Sequence, residues 1–371
     1  MSRSPNVKHI TEGVTDFLVF KKKHSVKGPG AKDKLPFYNP AMELNRDLSI
    51  LVCQWLVNNS SKHVHILDGL AASGVRGIRI KNEVEGDFDI TINDRNEDAY
   101  DLIQKNVKNC SLTNVNMLNK NLNTLLSEKK FDYIDVDPFG SPAYFIDSAM
   151  RSISNKGILA CTATDTATLC GVYPKVCNRR YGAMPFHSFF MKEVALRILV
   201  GFICREAARY DRGIKPLLCH SNDHYFRVYV MVRNGVGSAS DSLKNLSNIR
   251  SDEFVFSNNP DVDVGPLWMG RLQDKQMIKE LRTILFEKQL NTKNMLWKLL
   301  DLLEEEADAP GFFYTTDDIA SLLRISPPKM ITIFEKLKKD GYEISRTHFS
   351  STGFKTNAPK KKIEAVFKNY S

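Results

Sequence analysis

From about His63 to Asn234, short β-branched runs alternate with segments whose apolar residues recur at helical spacing. "HVHILDGL" reads as a first strand, "GVRGIRIKNEV" as the start of a helix and "DFDITIND" as a second strand. "RNEDAYDLIQKNVKNC" places Ala99, Leu102, Ile103 and Val107 on one helix face. "NVNMLN", "FDYIDVD" and "KGILACTATD" supply the third, fourth and fifth strands. The long segment "HSFFMKEVALRILVGFICREAARYDRG" predicts a helix stopped by Gly213. "KPLLCHSNDHYFRVYVMVRNG" then predicts two strands around an "SND" turn, a hairpin at the sheet edge. Alternating β and α of this kind implies an α/β fold, a mainly parallel sheet with helices on both faces. Its ligands belong at the carboxyl ends of the strands, where strand order reverses.

The pattern changes after the last of these strands. "NGVGSASDS" is rich in Gly and Ser and marks an expected boundary, giving domains 1–235 and 236–371. The first 62 residues form an extension ahead of the alternating region. Past the boundary, "QDKQMIKELRTILFEKQL" and "NTKNMLWKLLDLLEEEAD" have helical spacing. "TTDDIASLLRISPPKMITIFEKLKKDGYEISRTHFS" predicts helix, turn, helix and strand, with Thr316 as an N-cap and proline in the second helix's first turn. The result is a smaller α+β domain ending in a winged-helix-like segment, a module that contacts nucleic acid or serves in packing.

Composition narrows the class. Among 371 residues, 42% are hydrophobic and 26% charged, the balance of a soluble globular protein. No apolar run is long enough to span a bilayer, and no apolar segment follows the basic residues of "MSRSPNVKHITEG". The cytoplasm is the expected compartment. Seven cysteines, none in a CxxC pair, argue against a disulfide framework and a structural zinc site. Lys and Arg exceed Asp and Glu to give a net charge of +9, which favours a polyanionic partner. "FKKKHSVKGPGAKDK" and "KTNAPKKKIEAVFK" concentrate lysine at the two ends, either as binding surface or as solvated loops.

Candidate chemistry lies at the strand ends. In "ILDGLAASGVRGIRI", Asp68 ends the first strand, and Gly69, Gly74 and Gly77 permit a turn that approaches a ligand closely. The loop lacks GxGxxG spacing, so a pyrophosphate-bearing dinucleotide is not indicated. Small residues around a DxxxxxG pattern suit S-adenosylmethionine, a cofactor without phosphates. Asp94 of "NDRNEDA" ends the second strand, where an acid either accepts hydrogen bonds from ribose hydroxyls or caps the next helix. Asn121 and the Leu122 backbone of "NKNLNTLL" follow the third strand, at the adenine position of such folds.

The fourth strand ends in "IDVDPFGSPAYF". An exocyclic amino group of a nucleobase is a poor nucleophile because its lone pair is delocalised into the ring. An enzyme that methylates it must hold the nitrogen in line with the sulfonium carbon and accept the proton that becomes acidic. Asp137 supplies the acceptor, and its charge favours the developing positive nitrogen. Pro138 fixes a backbone carbonyl for the second N–H, and Phe139 offers a stacking face. Gly140, Ser141 and Pro142 turn the chain away. A base inside a helix must be extruded to reach this site. The residues alone thus indicate an exocyclic-amine methyltransferase acting on nucleic acid.

"FYNPAMELNRDLS", "LDGLAASGVRGIR", "NDRNEDA", "DVDPFGSP", "TATDTATLCG" and "RRYGAMPFH" occur in that order over the first two-thirds of the chain. In these motifs the chain resembles the tRNA (guanine-26-N2)-dimethyltransferases, in size and architecture the compact archaeal type. The resemblance implies a Rossmann-like S-adenosylmethionine-dependent domain and successive methylation of N2 of guanine 26 in tRNA. It further implies that Arg46, Arg76, Asp94, Asn121 and Leu122 bind the cofactor, that Asp137 is catalytic, and that Phe37 and Phe139 sandwich the guanine. Relatives often carry Asp where Asn121 stands, and the zinc-site cysteines that some hold late in the chain are missing beyond Cys219, so no metal is expected. Spacing alone makes Arg46 a surface charge or a helix-capping partner. His220 and His224 fall across a turn, a poor metal pair. Arg179, Arg180 and Arg197 either contact tRNA phosphates or form internal salt bridges. Lys360, Lys361, Lys362 and Lys368 either extend that surface or form a mobile tail. Two other readings stand beside this one: an N6-adenine DNA methyltransferase, and a non-catalytic RNA-binding module on the same fold.

Overall fold

The computed structural model describes residues 7–21, 36–222, 224–250 and 262–369. Residues 22–34 of the amino-terminal lysine run, and Asp223 of the hairpin turn, lie outside them. A hairpin of β1 (Val7–Glu12) and β2 (Thr15–Phe20) precedes the long helix α1 (Glu43–Asn58). The alternating region follows as β3 (Val64–Asp68), α2 (Val75–Glu83), β4 (Phe88–Asn93), α3 (Glu97–Asn109), β5 (Val115–Leu118) and α4 (Leu122–Glu128). It continues through β6 (Phe131–Val136), α5 (Ala143–Ser152), β7 (Ile153–Ala163), α6 (Thr166–Leu169), α7 (Pro174–Tyr181) and α8 (Met191–Ala208). The hairpin β8 (Arg212–Asn222) and β9 (Tyr225–Asn234) closes it.

These strands form one seven-stranded sheet in the order β5-β4-β3-β6-β7-β9-β8. The pairs from β5 to β7 are parallel, and β9 is antiparallel to both β7 and β8. The chain runs outward from β3 to β5, then returns to lay β6 on the other side of β3. Strand order therefore reverses between β3 and β6, and a crevice opens beyond Asp68 and Val136. Because both faces are covered, every residue of β6 is buried, its two aspartates included.

Three local expectations are corrected. The helix α8 ends at Ala208, and Asp211 takes the left-handed turn at φ +52°, so Gly213 already belongs to β8. Short acidic side chains tolerate that region because they hydrogen-bond locally. The Gly/Ser-rich segment is helix α9 (Val236–Leu243) rather than an open linker. Its Ser242 hydroxyl accepts from Ile214 N at 2.9 Å, which seats the helix on β8. In the last module Thr315, not Thr316, is the N-cap, accepting from Asp318 N at 3.1 Å. Pro327 and Pro328 stay in the connection before the helix, where no backbone N–H is required of them.

A further strand pair, β10 (Leu246–Arg250) and β11 (Asp263–Trp268), leads to α10 (Lys275–Glu287) and α11 (Lys293–Glu306). Ile278, Leu281 and Leu300 of these helices share one buried cluster with Leu48 and Leu51 of α1 and Ile66 of β3. The main core thus extends past residue 235. The chain ends in β12 (Tyr314–Thr315), α12 (Thr316–Leu323), α13 (Met330–Lys339), β13 (Ile344–Arg346), β14 (Gly353–Thr356) and α14 (Lys360–Lys368). Its three strands pair in the order β12-β14-β13 over a separate small core around Ile333, Phe354 and Phe367, a winged-helix arrangement. A buried ionic cluster ties it down: Glu193 of α8 accepts from Lys355 at 3.0 Å, Arg197 at 2.7 Å and Phe312 N at 2.9 Å.

Candidate active site

A cavity of about 500 Å³ lies at the switch point, in the size range of small-molecule sites. All ten residues singled out from the sequence line it. The β3 end forms its floor. Asp68 Oδ2 accepts from Gly77 N at 2.9 Å, across a turn in which Gly74, at φ +78°, is the N-cap of α2. A side chain at Gly74 would meet both the left-handed penalty and Ile103, 2.8 Å from an added Cβ. Asp94 is not the cap of α3. That role belongs to Asn96, whose side chain accepts from Ala99 N at 3.2 Å. Asp94 instead joins two loops, accepting from Ala72 N at 2.8 Å and from Asn96 N at 2.9 Å. Asn121 caps α4 through Asn123 N at 2.9 Å, with Leu122 buried behind it.

Arg46 is neither a surface charge nor a cap. It is buried in α1, with Nε on Glu12 at 2.8 Å and Nη2 on the Asn39 carbonyl at 3.1 Å. Glu12 also accepts from Tyr38 at 2.7 Å and Arg79 at 3.0 Å, so the amino-terminal hairpin and the "FYNP" segment are fastened to the cavity wall together.

Asp137 emerges from β6 into the cavity, and Arg76 ion-pairs with it. Arg76 is itself held from α1 by Asn45 Oδ1 at 2.7 Å and Ser49 Oγ at 2.6 Å. Beneath it, Asp135 lies 3.6 Å from Arg76 and accepts from Arg227 at 2.5 and 3.0 Å. Charges therefore alternate inward as Asp137, Arg76, Asp135 and Arg227. Burial alone would raise the Asp135 carboxyl, but Arg227 and Arg76 outweigh it and hold the group below its ordinary value. Asp68 has no such direct partner among the described residues. Burial first, and then the Asp135 charge, push its carboxyl up to about 7.

The "DPFGSP" loop is braced from two later segments. Gly140 N donates to Thr164 Oγ1 at 2.7 Å, and Thr164 N to the Gly140 carbonyl at 2.9 Å. Ser141 donates to the Tyr181 hydroxyl at 2.7 Å, which donates to Asp165 at 2.8 Å. Phe37 and Phe139 face each other at 5.7 Å between centroids and 49° between planes. Two rings enclosing a third need roughly 7–8 Å at ordinary contact distances. Phe139 is 52% exposed and has room to swing aside.

Residues 18–368 match the family model described as N2,N2-dimethylguanosine tRNA methyltransferase. The chain belongs to that family. It is 36% identical to a tRNA (guanine(26)-N(2))-dimethyltransferase of Methanobrevibacter smithii, covering 98% of each chain. It is 41% identical to the enzyme of that name from Pyrococcus furiosus, over 92% of this chain and 96% of the other. Its fold superposes on a complex of Trm1 from Pyrococcus horikoshii with S-adenosyl-L-methionine at a TM-score of 0.85 and 35% identity. That match covers 97% of this chain and 99% of the other.

In this family member, Asn45, Ser49, Asp135 and Arg227 support the site without having been read from the sequence. The available signal was charge inside apolar strands: Arg227 interrupts "YFRVYVMV", and Asp135 interrupts "YIDV". Thr164, Tyr144 and His224 also line the cavity. The structure does not pair His224 with His220, which is buried in β8 against Tyr225 with its imidazole lowered to about 3 by burial. Among the described residues, His63, His65 and Asp89 lie close enough together to hold a metal ion. They are at the amino ends of β3 and β4, away from the cavity, and already pair as His63 with Asp87 at 2.6 Å and His65 with Asp89 at 2.8 Å. Arg197 is internal, as its Glu193 pair shows, and Arg180 pairs with Asp165 at 3.1 Å. Arg179 is exposed. Lys362 pairs with Asp340 at 2.9 Å on the outside of the winged module.

Proposed function

We propose that this protein uses S-adenosylmethionine to transfer two methyl groups in succession to N2 of guanine 26 in tRNA. The carrying observation is the Asp137 carboxylate, placed at the switch point on a wall shared with the β3 and β4 loops and Phe139. Family membership selects tRNA and guanine over adenine in DNA, and the intact acceptor strand end weighs against a non-catalytic binder. The cofactor supplies an electrophilic methyl group on a sulfonium. The cavity suits it: the buried Asp68 carboxyl has a backbone N–H for a partner and faces a site for a cationic methionine end. Asp94 is placed for the ribose hydroxyls, and Asn121 with the Leu122 backbone for the adenine edge. Arg46 and Arg76 complete the wall. Asp137 takes the amino proton as the N–C bond forms, Pro138 directs a carbonyl to the remaining N–H, and Phe37 and Phe139 part to hold the base. Arg76 fixes the orientation of Asp137.

Residues 1–235 carry the transfer, and residues 236–371 grip the RNA through the lysines gathered on α13 and α14. Among the described residues no helix is long and apolar enough to cross a membrane, and we assign the enzyme to the cytoplasm with its tRNA. The deciding experiment is nucleoside mass spectrometry of unmodified tRNA treated with protein and cofactor, with the modified position mapped. Dimethylguanosine at position 26 is expected; transfer to duplex DNA alone would refute the assignment.

Asp68 makes cofactor binding pH-dependent. Its carboxyl, raised to about 7, is mostly protonated in the free protein below that pH, whereas a cationic ligand binds the ionised form. Affinity should therefore fall as pH drops below about 7, approaching tenfold per pH unit, and level off above it. Calorimetry across that range should show the slope, and Asp68→Asn should flatten it. An unchanged slope in the variant would place the titrating group elsewhere.

A further inference from the structure

Extruding a guanine takes one stacking neighbour from each of the nucleotides on either side of it. We propose that Tyr144, Val172 and Tyr173 form a rigid apolar platform at the cavity mouth that stacks on the nucleotides flanking the extruded guanine, with Arg180 beside their phosphates. The inference rests on the tRNA reading above and adds the residues that replace the lost stacking.

Tyr144 stands in the first turn of α5, 67% exposed, and lines the cavity with Phe139. Val172 and Tyr173, 51% and 56% exposed, occupy the turn between α6 and α7. That turn is close to the cavity. Val172 N donates to the Ala167 carbonyl at 2.9 Å, and Ala167 is three residues from the wall residue Thr164, a reach of at most about 13 Å. It is also stiff. Gly171 sits at φ +91°, where an added Cβ would come within 2.7 Å of the His187 backbone nitrogen. Large apolar side chains held toward water on a fixed turn are preorganised for a flat partner and lose little freedom on binding it.

The surrounding charge selects that partner. Arg180, on α7, pairs with Asp165 and reaches the Tyr144 hydroxyl. Lys175 and Arg179 are exposed on the same helix. Aromatic faces interleaved with cations match a nucleotide strand, in which bases stack and phosphates stay outside. The braces from Thr164 to Gly140 and from Tyr181 to Ser141 join this platform to the "DPFGSP" loop, so a strand stacked on it is registered against Asp137.

The test uses full-length protein, unmodified tRNA transcript, and Tyr144→Ala and Val172→Ser/Tyr173→Ala variants. Steady-state methylation gives KM for tRNA and kcat, and calorimetry gives cofactor affinity. A transcript with 2-aminopurine in place of the target guanine reports unstacking by fluorescence. Each aromatic removed should raise KM for tRNA on the order of tenfold and reduce the fluorescence gain, with melting temperature unchanged. Val172→Ser/Tyr173→Ala, outside the cavity lining, should also leave cofactor affinity unchanged. Tyr144→Phe and Tyr173→Phe should keep binding near wild type. Unchanged KM and fluorescence beside a normally active wild type would overturn the platform alone. A fall in melting temperature, or in the cofactor affinity of Val172→Ser/Tyr173→Ala, would overturn it too, by making these side chains part of the fold or of the cofactor site. A wild type that methylates no tRNA would overturn the reading and the platform together.

Discussion

Asp137→Ala is expected to lower methyl transfer by roughly 10²–10⁴-fold while cofactor affinity stays near wild type. The carboxylate is the proton acceptor in the reading above, and no other cavity group stands at the end of β6 to replace it. The protein should still fold. Arg76, losing Asp137, keeps Asn45, Ser49 and the nearby Asp135. The Asn variant separates chemistry from shape, because it can still accept a hydrogen bond but cannot take the proton. Single-turnover methylation and calorimetry on both variants are the measurements. Loss of cofactor binding in Asp137→Asn would show that the residue shapes the pocket instead.

The second large effect concerns stability. Asp135→Ala removes the only carboxylate in contact with Arg227 among the described residues, and both side chains are wholly buried. The guanidinium is left with Thr162, Ser49, Tyr133 and the face of Tyr229 at 4.6 Å. An uncompensated buried charge costs about 3–5 kcal/mol. For a chain of this length that is a fall in melting temperature on the order of 5 °C. Arg76 loses its inner anchor at the same time, so activity should fall with stability. Replacing the pair together, as Asp135→Leu/Arg227→Met, should recover much of the melting temperature, since buried ion pairs add little over well-packed apolar residues. Activity should recover less than stability, because Arg76 keeps Asn45, Ser49 and Asp137 but lacks the charge of Asp135 beneath it. A double variant as unstable as the single one would mean that the strand needs these side chains for something other than their mutual charge.

The legible parts of the site share a property. Asp68, Asp94 and Asp137 each stand at the end of a β-rich run, and strand ends at a parallel sheet's carboxyl edge become a crevice whatever else the chain does. Periodicity placed those strands, so it placed the carboxylates. Arg46 was misread from spacing because its meaning depends on Glu12, which the amino-terminal hairpin carries to it across 34 positions. Gly213 was misread as a helix stop because local propensity does not reveal where a neighbouring strand must begin.

The sequence by itself determined the parallel α/β framework, the switch-point carboxylates and the chemistry they imply, because these follow from the local periods of two and 3.6 residues. Only the tertiary structure decided the alternating row from Asp137 to Arg227, the bracing of "DPFGSP" by Thr164 and Tyr181, and the burial of Arg197. Those depend on long-range pairings that bring a hairpin strand and two helices against β6. A charge's role is set by what desolvates it and what opposes it, and neither is written in the residues beside it.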